Sequence, residues 1–352
     1  MAQTKIKNKK LIYTTAVFLL LLVYFLVFET RIEQKEKSKN NLFDYTIADV
    51  KTVEIQTSGR VIRLERVMND WLIRKPRELK GSKPDIDAYL YDVKDLQKDK
   101  VIGKNLPDLN LYGLKTPKIV FRIWTTARKN EDQLLTLNLG EQNPDKSAYY
   151  AKFENQPEIF LLEIKAESTL DRELFFFRDK EVFQVKSGDV KQITCNQEAL
   201  NYELNLEGQS WIINSPVSYS NLNQADVKKV LGNILDISIK KFFDDKDAVP
   251  VPDAGLLSPN IRIKLVDNKN KAFTLLAGRE IRNENQYYAR LENANLVFGI
   301  DKTIVNDLVR DLQKIADKKK EDEKKLEEQK KKELEKQLKE AKKKGKKDDK
   351  KK

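Results

Sequence analysis

The sequence predicts an α+β protein. An N-terminal transmembrane helix leads into two tandem homologous modules, each an antiparallel sheet with one packed helix, and a charged tail then passes from helix to disorder. Three observations predict this. An uncharged run of 18 residues occupies 11–28. Six landmarks recur in the same order 138 to 142 residues apart. Around each set of landmarks, apolar residues alternate at the strand period, except for one segment with helical spacing.

The N-terminal run reads LIYTTAVFLLLLVYFLVF. As a helix it would be about 27 Å long at ~1.5 Å per residue, close to the hydrocarbon thickness of a bilayer. Tyr13 and Tyr24 lie near its ends, where amphipathic rings favour the interface. Glu29, Thr30 and Arg31 stand where a cleavage site would need small residues, so an uncleaved anchor is expected. Lys5, Lys7, Lys9 and Lys10 on one flank balance Arg31, Lys35, Lys37 and Lys39 on the other. The free amino terminus tips orientation towards N-terminus inside, with the bulk of the chain extracytoplasmic at the cytoplasmic membrane. The organisation expected is a basic flank at 1–10, the anchor at 11–28, a linker at 29–42, module 1 at 43–165, a connector at 166–180, module 2 at 181–303 and the tail at 304–352.

The two modules are read from matched residues. YYAKFEN at Tyr149 recurs as YYARLEN at Tyr287, and Trp71 with Pro76 recurs as Trp211 with Pro216. Tyr112-Gly113-Leu114 with Pro117 recurs as Ala254-Gly255-Leu256 with Pro259, and Gly140 and Phe160 recur as Gly278 and Phe298. In order along module 1, Val53–Gln56 and Val61–Leu64 flank Ser58-Gly59 as a hairpin. Ser82-Lys83-Pro84-Asp85 then caps a helix near 84–98, and KIVFRIW follows from Lys118 as a strand that starts after proline. Strands at 134–139, 149–153 and 159–162 complete the module. Module 2 repeats the plan, with a helix near 223–237 capped at Asn223 and strands at 260–266, 273–276, 287–291 and 296–298. Gly113 and Gly255 are assigned to turns before a strand.

Charge lies at the ends. Residues 317–352 carry 18 Lys against 11 Asp or Glu, and the first ten residues carry four Lys and no acid. The chain as a whole is +12, so the middle is near +1, and nucleic acid is not an expected partner. Leu326, Leu334 and Leu338 are too sparse for a coiled-coil seam. Glu and Lys three or four apart support a solvated helix, with disorder expected past Gly345 and attachment to an anionic surface as one reading of the tail.

There is no histidine and one cysteine, Cys195. That removes the commonest general base, Ser–His and Cys–His nucleophiles and any internal disulfide. Phosphate-cradling glycine loops are missing. Ser238-Ile239-Lys240-Lys241 matches S-x-x-K at an expected helix end but lacks its companion motifs. Asp244, Asp245 and Asp247 lack calcium-loop spacing. No cofactor and no enzymatic activity are therefore expected. The candidate binding surface is aromatic: Trp71, Tyr149, Tyr150, Trp211, Tyr287 and Tyr288, read either as platforms for an envelope glycan or peptide or as sheet packing.

The anchor, W-x4-P, the capped helix, the G-L-x2-P strand entry and the glycine before YYA[KR] together resemble the bacterial family called domain of unknown function 4340, over roughly 43–305. The resemblance implies a single-pass envelope protein and an accessory role beside gliding-motility-type ABC transporter components. Expected partners are the bilayer and a transporter permease or other envelope subunits. The family brings no catalytic residues, and the Lys/Glu tail departs from its pattern.

Overall fold

The computed structural model describes residues 13–25, 41–126, 132–197 and 200–348. The chain divides into two compact units, Met1–Asp179 and Lys180–Lys352. Unit 1 begins with helix α1 (residues 13–25), whose side chains are all exposed. Among the described residues no helix is long and apolar enough to cross a membrane. The remainder of the expected anchor, 11–12 and 26–28, lies outside the described residues, as does most of the linker.

The sheet of unit 1 is wholly antiparallel. A meander of β1 (Val50–Gln56), β2 (Val61–Val67), β3 (Asp70–Lys75) and β4 (Leu79–Lys80) runs out to one edge. Helix α2 (Lys83–Lys94) then crosses one face to deliver β5 (Lys98–Lys104) at the opposite edge. The chain returns to the centre, where β6 (Ile119–Thr126) pairs with β1. A second meander, β7 (Asp132–Gln142), β8 (Ala148–Phe153) and β9 (Glu158–Glu163), closes against β5. Ser82 Oγ accepts from Asp85 N–H to start α2, and Pro84 occupies its first turn, where a missing N–H does least harm. Ile86, Tyr89, Leu90 and Val93 form the buried stripe of α2. They face Ile55, Leu64, Trp71, Phe121 and Ile123 from alternate strand positions. Each such side chain contributes about 1.5–3 kcal/mol by leaving water.

Unit 2 repeats this order. Strands β10 (Val190–Gln197), β11 (Leu200–Glu207) and β12 (Ser210–Ser215) form the first meander, and α5 (Gln224–Leu235) crosses to β13 (Ile239–Phe243). Then β14 (Ile261–Asp267), β15 (Ala272–Glu280), β16 (Gln286–Leu291) and β17 (Val297–Asp301) run back from the centre to β13. Apart from the two-residue β4, the strand orders are the same. The irregularities match as well. Register shifts at Val50/Thr52, Arg63/Leu64 and Leu139/Gln142 in unit 1 correspond to those at Val190/Gln192, Glu203/Leu204 and Ala277/Glu280 in unit 2.

The recurring letters have recurring work. Gly113 and Gly255 adopt φ of 64° and 72°, a left-handed conformation that favours glycine. That turn presses the carbonyls of Tyr112 and Ala254 onto Gly140 and Gly278. A Cβ there would lie 2.1 Å and 2.2 Å from those oxygens, inside any tolerable contact. In the repeated heptad, Tyr149, Ala151, Tyr287 and Ala289 point into the core. Lys152 donates to the carbonyls of Phe153 and Glu154, and Arg290 to those of Glu292 and Ala294, so the cation closes the following turn in both units.

Several expectations change. Each sheet packs more than one helix. In unit 1, α3 (Ala166–Leu170) and α4 (Leu174–Phe177) follow β9, and Phe177 meets the Tyr89 ring edge-on at 5.0 Å. In unit 2, α6 (Lys302–Asp348) buries Val305, Leu308, Leu312 and Ile315 in its first turns, so the residues from 304 to about 316 belong to the core and not to the tail. The crossing helices end earlier than their apolar spacing suggests, because the next residues pair as edge strands. Ser238 accordingly precedes strand β13, not a helix end. The break expected past Gly345 falls inside α6, which runs to Asp348. One glycine costs roughly 1 kcal/mol, too little to end an established helix.

Gly140→Ala and Gly278→Ala should each lower stability by about 1–3 kcal/mol, the usual cost of overpacking. Gly59→Ala, in an open turn with nothing within 4 Å, is the control and should cost under about 1 kcal/mol. Denaturant midpoints of the three variants check this.

Candidate functional site

Two cavities are lined by clusters of ionisable groups, one in each unit, and the first is in unit 1. A cleft of about 480 Å³ lies where the β1–β2 turn, the start of β6 and the segment after β9 converge. The turn closes by Thr57 N–H donating to the Arg60 carbonyl at 3.0 Å, which sends the Arg60 side chain towards the segment after β9. Arg60 Nη2 lies 2.5 Å from Asp171 Oδ1, and Nη1 meets Glu173. On the other wall Lys118 Nζ lies 3.0 Å from Glu167 Oε1 and 5.3 Å from the centre of the Tyr149 ring. The Tyr149 hydroxyl donates to Glu167 and accepts from Gln142 Nε2 at 3.0 Å.

These contacts shift the titration of four of the groups. The Tyr149 hydroxyl and Lys118 outweigh partial burial and keep Glu167 below the usual carboxylate range. The Arg60 hydrogen bond does the same for Glu173. Lys118 is raised chiefly by its hydrogen bond to Glu167. Tyr149 is raised by burial first and by Glu167 second. All four shifts lead away from neutrality, the reverse of what a general acid or base near pH 7 needs. The cleft holds a fixed pattern of paired charge.

The corresponding place in unit 2 has two asparagines and one ion pair, Lys302 lying 2.6 Å from Glu280 and 6.0 Å from the centre of the Tyr287 ring. Tyr287 donates to Asn306 Oδ1 at 3.1 Å, and Asn260, at the position of Lys118, donates to the Gly278 carbonyl at 3.1 Å. A second cavity in unit 2, about 440 Å³, runs between α5 and α6 past Asp226, Lys229, Asp311 and Lys318. Cys195 is buried beneath the sheet, and burial pushes its thiol up to about 12, which leaves it protonated and unreactive. Asp245–Asp247 form one 3-10 turn. Among the described residues no group of three or more Cys, Asp or Glu is placed to hold a metal ion.

The aromatic surface expected from the sequence is mostly interior. Trp71 and Trp211 are 0% and 4% exposed, and Tyr149 and Tyr287 are 2% and 8%. Trp71 donates to Asp87 Oδ1 at 3.0 Å under the Arg66 guanidinium, 4.4 Å from its ring. Trp211 is held through its backbone by the Gln224 amide. Four of the six rings therefore present no platform to a glycan or peptide. Strand alternation turns Tyr150 and Tyr288 to the other face, where they are half-buried against Tyr112 and Phe243. The groups that do line a cavity, Arg60, Lys118, Glu167, Asp171 and Glu173, went unread because three of them fall in the segment taken as a connector. One signal was available: a polar residue 18 or 19 positions after the first tyrosine of each heptad, Glu167 and Asn306.

A family model described as Domain of unknown function (DUF4340) matches residues 71–248. The chain belongs to this family. The DUF4340 match begins at Trp71 on β3 and ends just past β13, so it takes in parts of both units. No curated protein and no solved structure matches the chain.

Two outcomes are expected here. Trp71→Ala, which empties a fully buried site, should cost about 3–5 kcal/mol, measured by denaturant unfolding. Glu167→Gln should cost about 1 kcal/mol at neutral pH, from the lost Lys118 pair and the weakened tyrosine bond. A carboxylate with a depressed folded pKa stabilises above its unfolded pKa and loses that contribution as pH falls through the folded value. The difference between wild type and Glu167→Gln should therefore disappear in acid. A difference that stays constant with pH contradicts the assignment.

Proposed function

We propose that this DUF4340 protein is a non-catalytic, membrane-anchored scaffold of the cell envelope, an accessory to an ABC-type transport complex like those of gliding motility. The observation that carries the reading is helix α1. Its side chains are uncharged, almost all apolar, and exposed all round, with Leu20 71% and Phe18 64% accessible. A helix with no polar face has no stable position in water and calls for lipid or a protein partner. The 13 described residues span about 20 Å, and the uncharged run of 18 would approach the ~30 Å hydrocarbon core. In this reading residues 11–28 cross the cytoplasmic membrane with the N-terminus inside, and both units stand on the far side.

The units themselves are read as tandem copies of one module. Support comes from the shared strand order, the three matched register shifts and the repeated glycine–carbonyl contacts. In each copy the crossing helix covers one sheet face, and in unit 2 the segment Val249–Leu256 packs a smaller apolar cluster of Phe243, Leu276 and Val297 at alternate strand positions. The charged cleft of unit 1, with its cations and carboxylates already paired, suits docking better than turnover.

Detergent-solubilised membranes should yield the chain together with transporter subunits. Recovery of the chain alone would contradict the accessory role. Deleting 11–28 should move the protein from the alkaline-carbonate-resistant pellet to the soluble fraction, and retention in the pellet would contradict the anchor.

A further inference from the structure

The sheet of unit 1 gathers cations on the face turned away from α2. Antiparallel pairing sets Lys75 on β3, Arg63 on β2, Glu54 on β1, Arg122 on β6 and Thr136 on β7 side by side in one row. Each is one position from a core residue of its strand, such as Leu64, Ile55 or Phe121, so the row lies on the opposite face. Glu54 is the shared partner. Its carboxylate is 3.0 Å from Arg122, 3.5 Å from Lys75 and 3.8 Å from Arg63. Among the described residues no other acid is within ion-pair distance of these three, and the row sums to +2. Arg74, next to Lys75, is held by Glu65 and Glu78, and with those three counted the face is still at +1. The Arg63 guanidinium stands 5.3 Å from the centre of the Trp124 ring, which is half-buried on the same face. The cations stay in reach of solvent: the side chains of Lys75, Arg63 and Arg122 are 50%, 38% and 28% exposed.

Unit 2 builds the same row without the excess. By register its positions are Ser215, Glu203, Thr194, Lys264 and Thr274, one acid and one cation, and Val266 stands where unit 1 has Trp124. The cation cluster is therefore particular to unit 1 and is not a feature of the shared strand order. It also works against the sheet, because Arg63 and Lys75 are directly opposite each other and like charges so placed destabilise the pairing. An accessible tryptophan beside arginines is the composition that dominates the binding energy of protein contacts.

We infer that this face of unit 1 docks an acidic segment of a partner protein, whose carboxylates neutralise Arg63, Lys75 and Arg122 while its apolar groups cover Trp124. The inference rests on the scaffold reading above, which calls for a protein partner. From Lys75 to Arg122 the row crosses three strand spacings of ~4.8 Å, about 14 Å, a flat span that suits a chain segment better than a small ion.

The test uses the full chain in mild detergent, with hexaglutamate as the probe. Trp71 and Trp211 are buried, so Trp124 supplies the accessible part of the tryptophan emission. Saturating hexaglutamate should shield that emission from acrylamide, an uncharged quencher, at about 0.1 M salt and not at about 1 M, where the Debye length falls to about 3 Å. Trp124→Phe should abolish the peptide-dependent change. Arg63→Gln with Lys75→Gln leaves Arg122 on Glu54, so the buried carboxylate stays paired, and should raise the half-shielding peptide concentration severalfold. Lys75→Gln alone, at a half-exposed side chain, should give a smaller shift in the same direction. Lys264→Gln, at the matching place in unit 2, should leave the value unchanged. No shielding in the wild type, shielding that survives the double substitution, or a like effect of Lys264→Gln overturns the inference. So does equal shielding by hexathymidylate or by phosphatidylglycerol mixed micelles at matched charge, which would assign the face to nucleic acid or to lipid. The assay needs neither the anchor nor a transporter, so a failure of the scaffold reading, seen in copurification, is distinct from a failure here.

Discussion

In each unit one sheet face carries the main apolar core, and covering that face dictates the path of the chain. A meander alone would leave Ile55, Leu64, Trp71, Phe121 and Ile123 in water. The helix that covers them must begin at the edge where the meander ends and finish at the opposite edge. The next strand is therefore laid down far from the centre, and the chain has to come back to pair β6 with β1, or β14 with β10. The Tyr112–Gly140 and Ala254–Gly278 contacts lie on that return path and fasten the returning loop to a central strand through backbone atoms alone. Only glycine permits so close an approach, which is why these letters recur when most others do not. The edges exposed by this route are managed by charge: β5 carries Lys98, Lys100 and Lys104 and is interrupted in its pairing with β9.

The central strands and crossing helices were legible because their signals are local. KIVFRIW alternates, and Ser82 and Asn223 announce the helices by composition and spacing. The edge strands were not legible. KDKVIGK has no alternation, and it becomes a strand only because α2 places it beside β9, a tertiary override of weak propensity. The first turns of α6 were hidden by the charge that follows them, although Val305, Leu308, Leu312 and Ile315 keep helical spacing. The unit 1 cleft depends on pairs such as Arg60 with Asp171, 111 residues apart, which no local pattern reveals. The paired tyrosines were read as strand residues, whereas the strands that carry Trp71 and Trp211 were not read, and an alternating strand cannot say which of two tyrosines faces the core.

Comparison of the units separates what the fold needs from what it tolerates. Core positions repeat nearly letter for letter at YYA, and the cation that closes the next turn changes only from Lys152 to Arg290. The rim does not repeat. Lys118 and Glu167 in one unit correspond to Asn260 and Asn306 in the other, where the lysine beside the tyrosine ring is instead Lys302, paired with Glu280. Every charged group of the unit 1 cleft has its opposite partner within the cleft.

The central claim is that two compact units with the same strand order each hold their own core, and that the helix leaving the second stands by its own charge pairing. Hydrogen exchange followed by mass spectrometry on the intact chain tests it most directly. The account predicts matched protection in β1, β6 and β7 and in β10, β14 and β15, with residues 317–335 exchanging far faster than the first turns of α6. Protection confined to one unit, or a strut as protected as the sheets, would contradict it.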